Sequence, residues 1–206
     1  MDDQATALRY LAQRTGHSDS AYGSRLVRVE SGSGDGVMLA EVWNAVGLRM
    51  EVVVGRGFDI YRTEYMGSPV HWQAPPGLRS RHSYEPQGWG WLRNFHGGLL
   101  VTCGLEHVLM PTERLAPEYN FLPDLPRQFG LHGRVSNEAG EILERRLVFV
   151  GGEPVVRISG VVAQAALYGE RFRLHRTIDV PVYSPEIRVS DLVRNIGYQE
   201  THHELL

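Results

Sequence analysis

The chain has 206 residues, enough for one large domain with a sizeable core and no need of disulfides or metal. A hydrophobic share of 42%, a charged share of 22% and a net charge of -3 describe an ordinary globular protein, with no electrostatic reason for a nucleic-acid or acidic-membrane partner. All 21 basic residues are arginine, which a GC-rich coding bias explains as well as any function. No run approaches the roughly 20 apolar residues of a spanning helix, and the first residues lack a signal-peptide pattern. Cys103 is the single cysteine, so no intrachain disulfide is available and a reducing cytoplasm is the expected location.

In chain order, residues 2–15 read as a short helix with Leu8 and Leu11 on one face and Gly16 as its stop. From Arg25 the helical period gives way to short alternating or apolar runs rich in Val, Ile, Leu and aromatics. These predict strands over 25–30, 37–44, 48–54, 58–65, 99–103, 132–137, 142–150, 154–164, 171–180 and 186–194. Turn-forming clusters at 31–36, 44–47, 137–140 and 151–153 supply hairpin connections. Antiparallel strands joined by tight turns point to an all-β sandwich or barrel. Residues 68–95 and 111–129 break the rhythm as long loops rich in Pro and aromatics, the kind that form binding walls. The expected organisation is an N-terminal helical segment over 1–22 and one β-domain over 23–206.

Several groups could carry chemistry. Leu131-His132-Gly133-Arg134 sets an imidazole and a guanidinium two residues apart, on one face if the backbone is extended. The bland alternative is a surface pair at a strand end. Arg56 and Asp59, in Gly55-Arg56-Gly57-Phe58-Asp59, either form a structural ion pair around a tight turn or line a pocket. Trp72, Tyr84, Trp89, Trp91 and Phe95 make an aromatic-dense loop, suited to the apolar faces of sugar rings or to a satellite hydrophobic cluster. No His-x-His, His-Glu-x-x-His or paired-Cys spacing occurs, so no metal ligand set is read, and no Gly-x-Ser-x-Gly nucleophile elbow is present. A metal-dependent β-barrel enzyme would need a site assembled from distant histidines.

Four runs taken together carry a resemblance. They are Gly-Arg-Gly-Phe-Asp-Ile (55–60), Trp-Leu-Arg-Asn-Phe-His-Gly-Gly-Leu-Leu-Val-Thr-Cys-Gly-Leu (91–105), Leu-His-Gly-Arg (131–134) and Asp-Leu-Val-Arg-Asn (191–195). From about Gly23 onward the chain resembles a largely uncharacterised family of the galactose-mutarotase-like (aldose 1-epimerase-like) superfamily. The resemblance implies an antiparallel β supersandwich with a sugar cleft on one sheet. It also implies anomer interconversion without a cofactor: a general base takes the anomeric proton while a general acid protonates the ring oxygen.

By that motif match His132 is the catalytic candidate, the imidazole that binds and polarises the sugar. Arg134, Arg56, Asp59, Trp91 and His96 are the candidate substrate contacts. The implied partner is a small sugar or sugar derivative. In the mutarotases the acid histidine and base glutamate lie on later strands, and in the resembling family a Leu-Leu-Tyr-His-x-Asn motif follows. Because this sequence stops at Glu204-Leu205-Leu206, it is expected to be C-terminally truncated, with a partial sandwich and a sheet edge open to homo-oligomerisation. A non-catalytic sugar-recognition module is the alternative reading.

Overall fold

The computed structural model describes residues 2–119 and 124–205. Helix α1 (Asp2–Thr15) precedes five strands that form one antiparallel sheet in sequence order: β1 (Gly23–Arg28), β2 (Met38–Trp43), β3 (Leu48–Val53), β4 (Asp59–Tyr65) and β5 (Ser68–Pro69). A stretch of short elements follows: β6 (Trp72–Gln73), α2 (Gly90–Asn94), β7 (Gly97–Gly98), β8 (Gly104–Leu105), β9 (Thr112–Arg114) and β10 (Arg127–Phe129). A second antiparallel sheet then runs β11 (Gly140–Val150), β12 (Glu153–Ala165), β13 (Arg171–Pro181) and β14 (Arg188–Asn195). Finally β15 (Glu204–Leu205) returns to pair with β8, as β6 pairs with β7 and β9 with β10.

Alternation builds the second sheet. On β12 and β13 every other side chain is buried: Val156, Ile158 and Val162 on one, Phe172, Leu174, Ile178 and Val180 on the other. They meet Val42, Met50, Val52 and Ile60 of the first sheet in one core, which Leu8 of α1 also joins. Phe58 wedges between the layers. A Cβ on Gly160 would lie 2.2 Å from its ring, so only glycine fits there. Gly151 and Gly152, at φ 60° and 90°, form the two-residue link between β11 and β12, with the backbone that suits hairpin twist. Asn44 ties the sheets together: its amide donates to the carbonyls of Pro181 and Ser184 at 2.9 and 2.8 Å.

The all-β expectation and the two main sheets agree with the sequence reading. Two predicted strands do not form. Residues 99–103 carry one isolated bridge, Ile60 to Leu100, between the two-residue strands β7 and β8. Residues 132–137 are a turn leading into the 3-10 turn Val135–Asn137. In both places the apolar run is satisfied by packing under the loops while positive φ at Gly98, Gly104, Leu105, His132 and Gly133 breaks the strand. Residues 137–140 likewise connect that turn to β11 and make no hairpin.

Candidate functional site

His132 sits where the loops converge. Its φ of 57° is unusual for a residue with a side chain, and Gly133 follows at φ 68°. A Cβ on Gly133 would come within 2.8 Å of the carbonyls of Gly104 and His107, so glycine is required. Hydrogen bonds hold the turn: His132 N–H donates to the Leu109 carbonyl at 3.0 Å, and Gly104 N–H donates to the His132 carbonyl at 2.9 Å. The backbone is therefore not extended. The imidazole and the Arg134 guanidinium are placed by this turn and by their partners, not by strand alternation.

The protonation of His132 follows from its contacts. Leu109 N–H donates to Nδ1 at 3.3 Å, so a neutral ring carries its proton on Nε2. Burial, helped by neighbouring His107, lowers its pKa and favours that neutral form. The half-buried ring thus offers an Nε2–H donor.

Aromatic rings continue from it in a row. Trp91 of α2 meets His132 edge-on at 4.9 Å, Phe95 stacks on Trp91 at 4.5 Å and 20°, and Trp72 lies 5.9 Å from Phe95. Trp91 is buried and its indole N–H donates to Ser136 Oγ at 3.0 Å. Trp72, by contrast, is 60% exposed, and Trp89 beside the row is 53% exposed. Tyr84 braces the turn, its hydroxyl donating to the Gly133 carbonyl at 3.0 Å.

Behind the turn lies a charged cluster drawn from distant segments. Arg134 contacts Glu170 at 2.6 Å, Glu138 at 3.2 Å and Glu106 at 3.3 Å. Arg127 bridges the same two buried carboxyls, contacting Glu106 and, at 2.5 Å, Glu170. Burial and the nearby Glu170 carboxylate push Glu106 up to about 8. Burial opposes ionisation of Glu170 as well, but Arg134 and Arg127 outweigh it and hold its pKa down at about 2. The pair therefore holds one proton at neutral pH, with Arg134 and Arg127 favouring the ionised form of Glu170.

Arg56, Asp59 and His96 are all buried. Arg56 donates to the carbonyls of Arg79 and Asn94 at 3.0 and 2.9 Å and makes no direct pair with Asp59. Burial lowers its pKa to about 10. Asp59 Oδ1 instead accepts from Thr102 N–H and Oγ1–H at 2.9 and 2.6 Å and from Arg176 at 3.2 Å. Burial still pushes this carboxyl up to about 6, against Arg176 and Thr102. His96 donates from Nδ1 to the Gly97 carbonyl and packs edge-on against Tyr61; burial and then Arg56 lower its pKa to about 3. The Cys103 thiol is pushed up to about 12, chiefly by burial, and stays protonated. Among the described residues, no group of three or more His, Cys, Asp or Glu is placed to hold a metal ion. No described helix is long and apolar enough to cross a membrane.

Residues 34–206 match the family described as a domain of unknown function, DUF4432. The chain belongs to that family. Among curated proteins, none matches it. The fold is shared with a solved structure from Klebsiella pneumoniae subsp. pneumoniae, a putative aldose 1-epimerase, at TM-score 0.69 and 18% identity. The superposition covers 86% of this chain and 48% of that one, so this chain spans about half the length of the protein it matches. The architecture of this DUF4432 chain is accordingly that of the aldose 1-epimerase-like fold.

In this DUF4432 chain the structure brings His132, Trp91 and Arg134 to one region and sets Arg56, Asp59 and His96 beneath the loop layer. Sequence reasoning missed Glu106, Arg127, Glu138 and Glu170. Glu106 stands one residue beyond the run ending at Leu105, and Glu138 four after Arg134, a spacing that could have flagged them. Arg127 and Glu170 had no local signal.

Proposed function

We propose that this chain binds a sugar at the His132–Trp91–Phe95–Trp72 row, as part of an aldose 1-epimerase-like protein that interconverts anomers by acid–base ring opening. The observation that carries the reading is the half-buried imidazole, its Nδ1 taken by Leu109 N–H and its Nε2 left as the donor, at the end of a row of aromatic rings on this fold. Exposed Trp72 suits the apolar face of a pyranose, while His132 donates to a hydroxyl or the ring oxygen and polarises it. Arg134 anchors the carboxylates behind the turn that carries the imidazole. Trp91 sets the angle of the His132 ring, and Arg56, Asp59 and His96 stiffen the floor beneath.

A second reading is a sugar-recognition module without catalysis. It is favoured by one observation: three carboxyls near the turn, Glu106, Glu138 and Glu170, are all engaged by arginine and so are poorly placed to take a substrate proton. Ligand-observed NMR titration with a panel of aldoses separates the two. Binding that disappears in His132→Ala supports the site. Faster anomer exchange on binding identifies the epimerase, unchanged exchange identifies the module, and absence of binding to any aldose overturns both.

A further inference from the structure

We infer that Glu106, Glu138 and Glu170 determine the charge selectivity of this site, so that it takes uncharged sugars and turns away sugar phosphates and sugar acids. The inference rests on the sugar binding at His132 proposed above.

Four guanidiniums that could recruit an anion near the turn are already occupied. Arg134, two residues from His132, contacts the three glutamates. Arg127 is held by Glu106 and Glu170. Arg93 on α2 is exposed, yet it faces Glu85 with two N–H groups, one at 3.0 Å. Arg56 is buried and spends its guanidinium on two carbonyls. The imidazole of His132 is neutral. With one proton on the Glu106–Glu170 pair, the charges of Arg127 and Arg134 are balanced by the three glutamates.

Consider a phosphate or carboxylate arriving at Arg134. It would have to displace Glu170, whose side chain is fully buried and would be left beside Glu106 with Arg127 as its remaining cation and Gln164 as a hydrogen-bond donor. Taking one of its two arginines from a buried carboxylate is unfavourable, though less so than taking its only partner. An uncharged sugar asks for no such exchange, because it needs only the Nε2–H donor and the aromatic faces. Glu138 is the most accessible of the three, its side chain 26% exposed, and so it is the group whose charge can be removed with least disturbance.

The test compares an aldohexose, the matching hexuronate and the matching hexose 6-phosphate by NMR titration at low salt, first with the unaltered chain. The expected result is a preference of at least about tenfold for the aldohexose, equivalent to about 1.4 kcal/mol. Glu138→Gln should shrink that preference several-fold by raising hexuronate affinity, with the gain fading as salt is added. Equal affinity of the unaltered chain for all three ligands, lost in His132→Ala, would overturn the charge selectivity while leaving the sugar site standing. Binding of none of them overturns both. The comparison on the unaltered chain decides the matter even if a variant folds poorly.

Discussion

Two arginines sit at the centre of two carboxylate clusters, and they are built for different ends. Arg176 projects from β13 into the core, 3% exposed, and meets Asp191 of β14 through two hydrogen bonds at 2.8 and 2.6 Å. It also donates to Asp59 of β4 at 3.2 Å and to Thr102 Oγ1 at 2.7 Å. One guanidinium thus joins both sheets and the loop layer. Arg134 has more carboxylate partners but stands on a turn, its side chain 28% exposed. The number of ion pairs does not separate the two roles. What separates them is whether solvent or a ligand can take over when a partner is lost. Fully buried Asp59 has no such replacement when Arg176 is lost, whereas Arg134 borders the surface where a ligand would sit.

The contrast is open to direct attack. Arg176→Met leaves fully buried Asp59 without its ion-pair partner, and unfolding in denaturant should show a loss of about 3–5 kcal/mol. A loss below about 1 kcal/mol would erase the distinction drawn above.

The second attack uses pH. Glu106 has a folded-state pKa of about 8 against 4.5 in the unfolded chain, so its contribution is full below 4.5 and is lost as pH rises through 8. Melting temperature should therefore decline as pH rises from about 4.5 to about 8 and gain no further slope from this group above that, and Glu106→Gln should flatten the decline. An unchanged slope in the variant means the proton is not held where the geometry places it.

Third, Arg134→Gln should cost only about 1–2 kcal/mol of stability, because Arg127 still holds Glu170. Because the carboxylates it releases lie behind the turn that carries His132, it should also weaken sugar binding on the same sample, indirectly, more than Arg176→Lys does. Smallest of all, Trp72→Ala should lower sugar affinity by about 0.5–1.5 kcal/mol while leaving the unfolding midpoint nearly unmoved, since the ring is already in water.

How much of this was legible in the sequence divides along the same line. The long hairpins of the second sheet were plain, because Val155–Val162 and Phe172–Val180 bury alternate residues and Gly151-Gly152 marks the turn between them. The run 99–103 looked equally strand-like, yet it forms one bridge, because the glycines on either side adopt φ of 133° and 115° to let backbones approach. Composition cannot reveal that, since a glycine in a turn and a glycine under a neighbouring carbonyl are the same letter. His132, Arg134 and Trp91 were found from their motifs. Glu170 was not, because an acidic residue in the turn before β13 gains its meaning only when folding brings it 2.6 Å from an arginine 36 positions earlier. Asp59 and Arg56 were read as neighbours that pair or line a pocket. Each instead satisfies itself with a group further along the chain.

The row of rings also gives the protein an optical consequence. Of its four tryptophans, Trp43 lies apart, its indole bonded to the Asp19 carbonyl, while Trp72, Trp89 and Trp91 occupy the loop layer. Indole emission moves to shorter wavelength when water leaves the ring, and Trp72 and Trp89 are the two with water to lose. Sugar binding at the proposed row would thereby be written into the intrinsic fluorescence of the unlabelled chain. Replacing Trp43 by Phe would remove the remote signal and leave an emission spectrum that reports almost entirely on the surface where a sugar would rest.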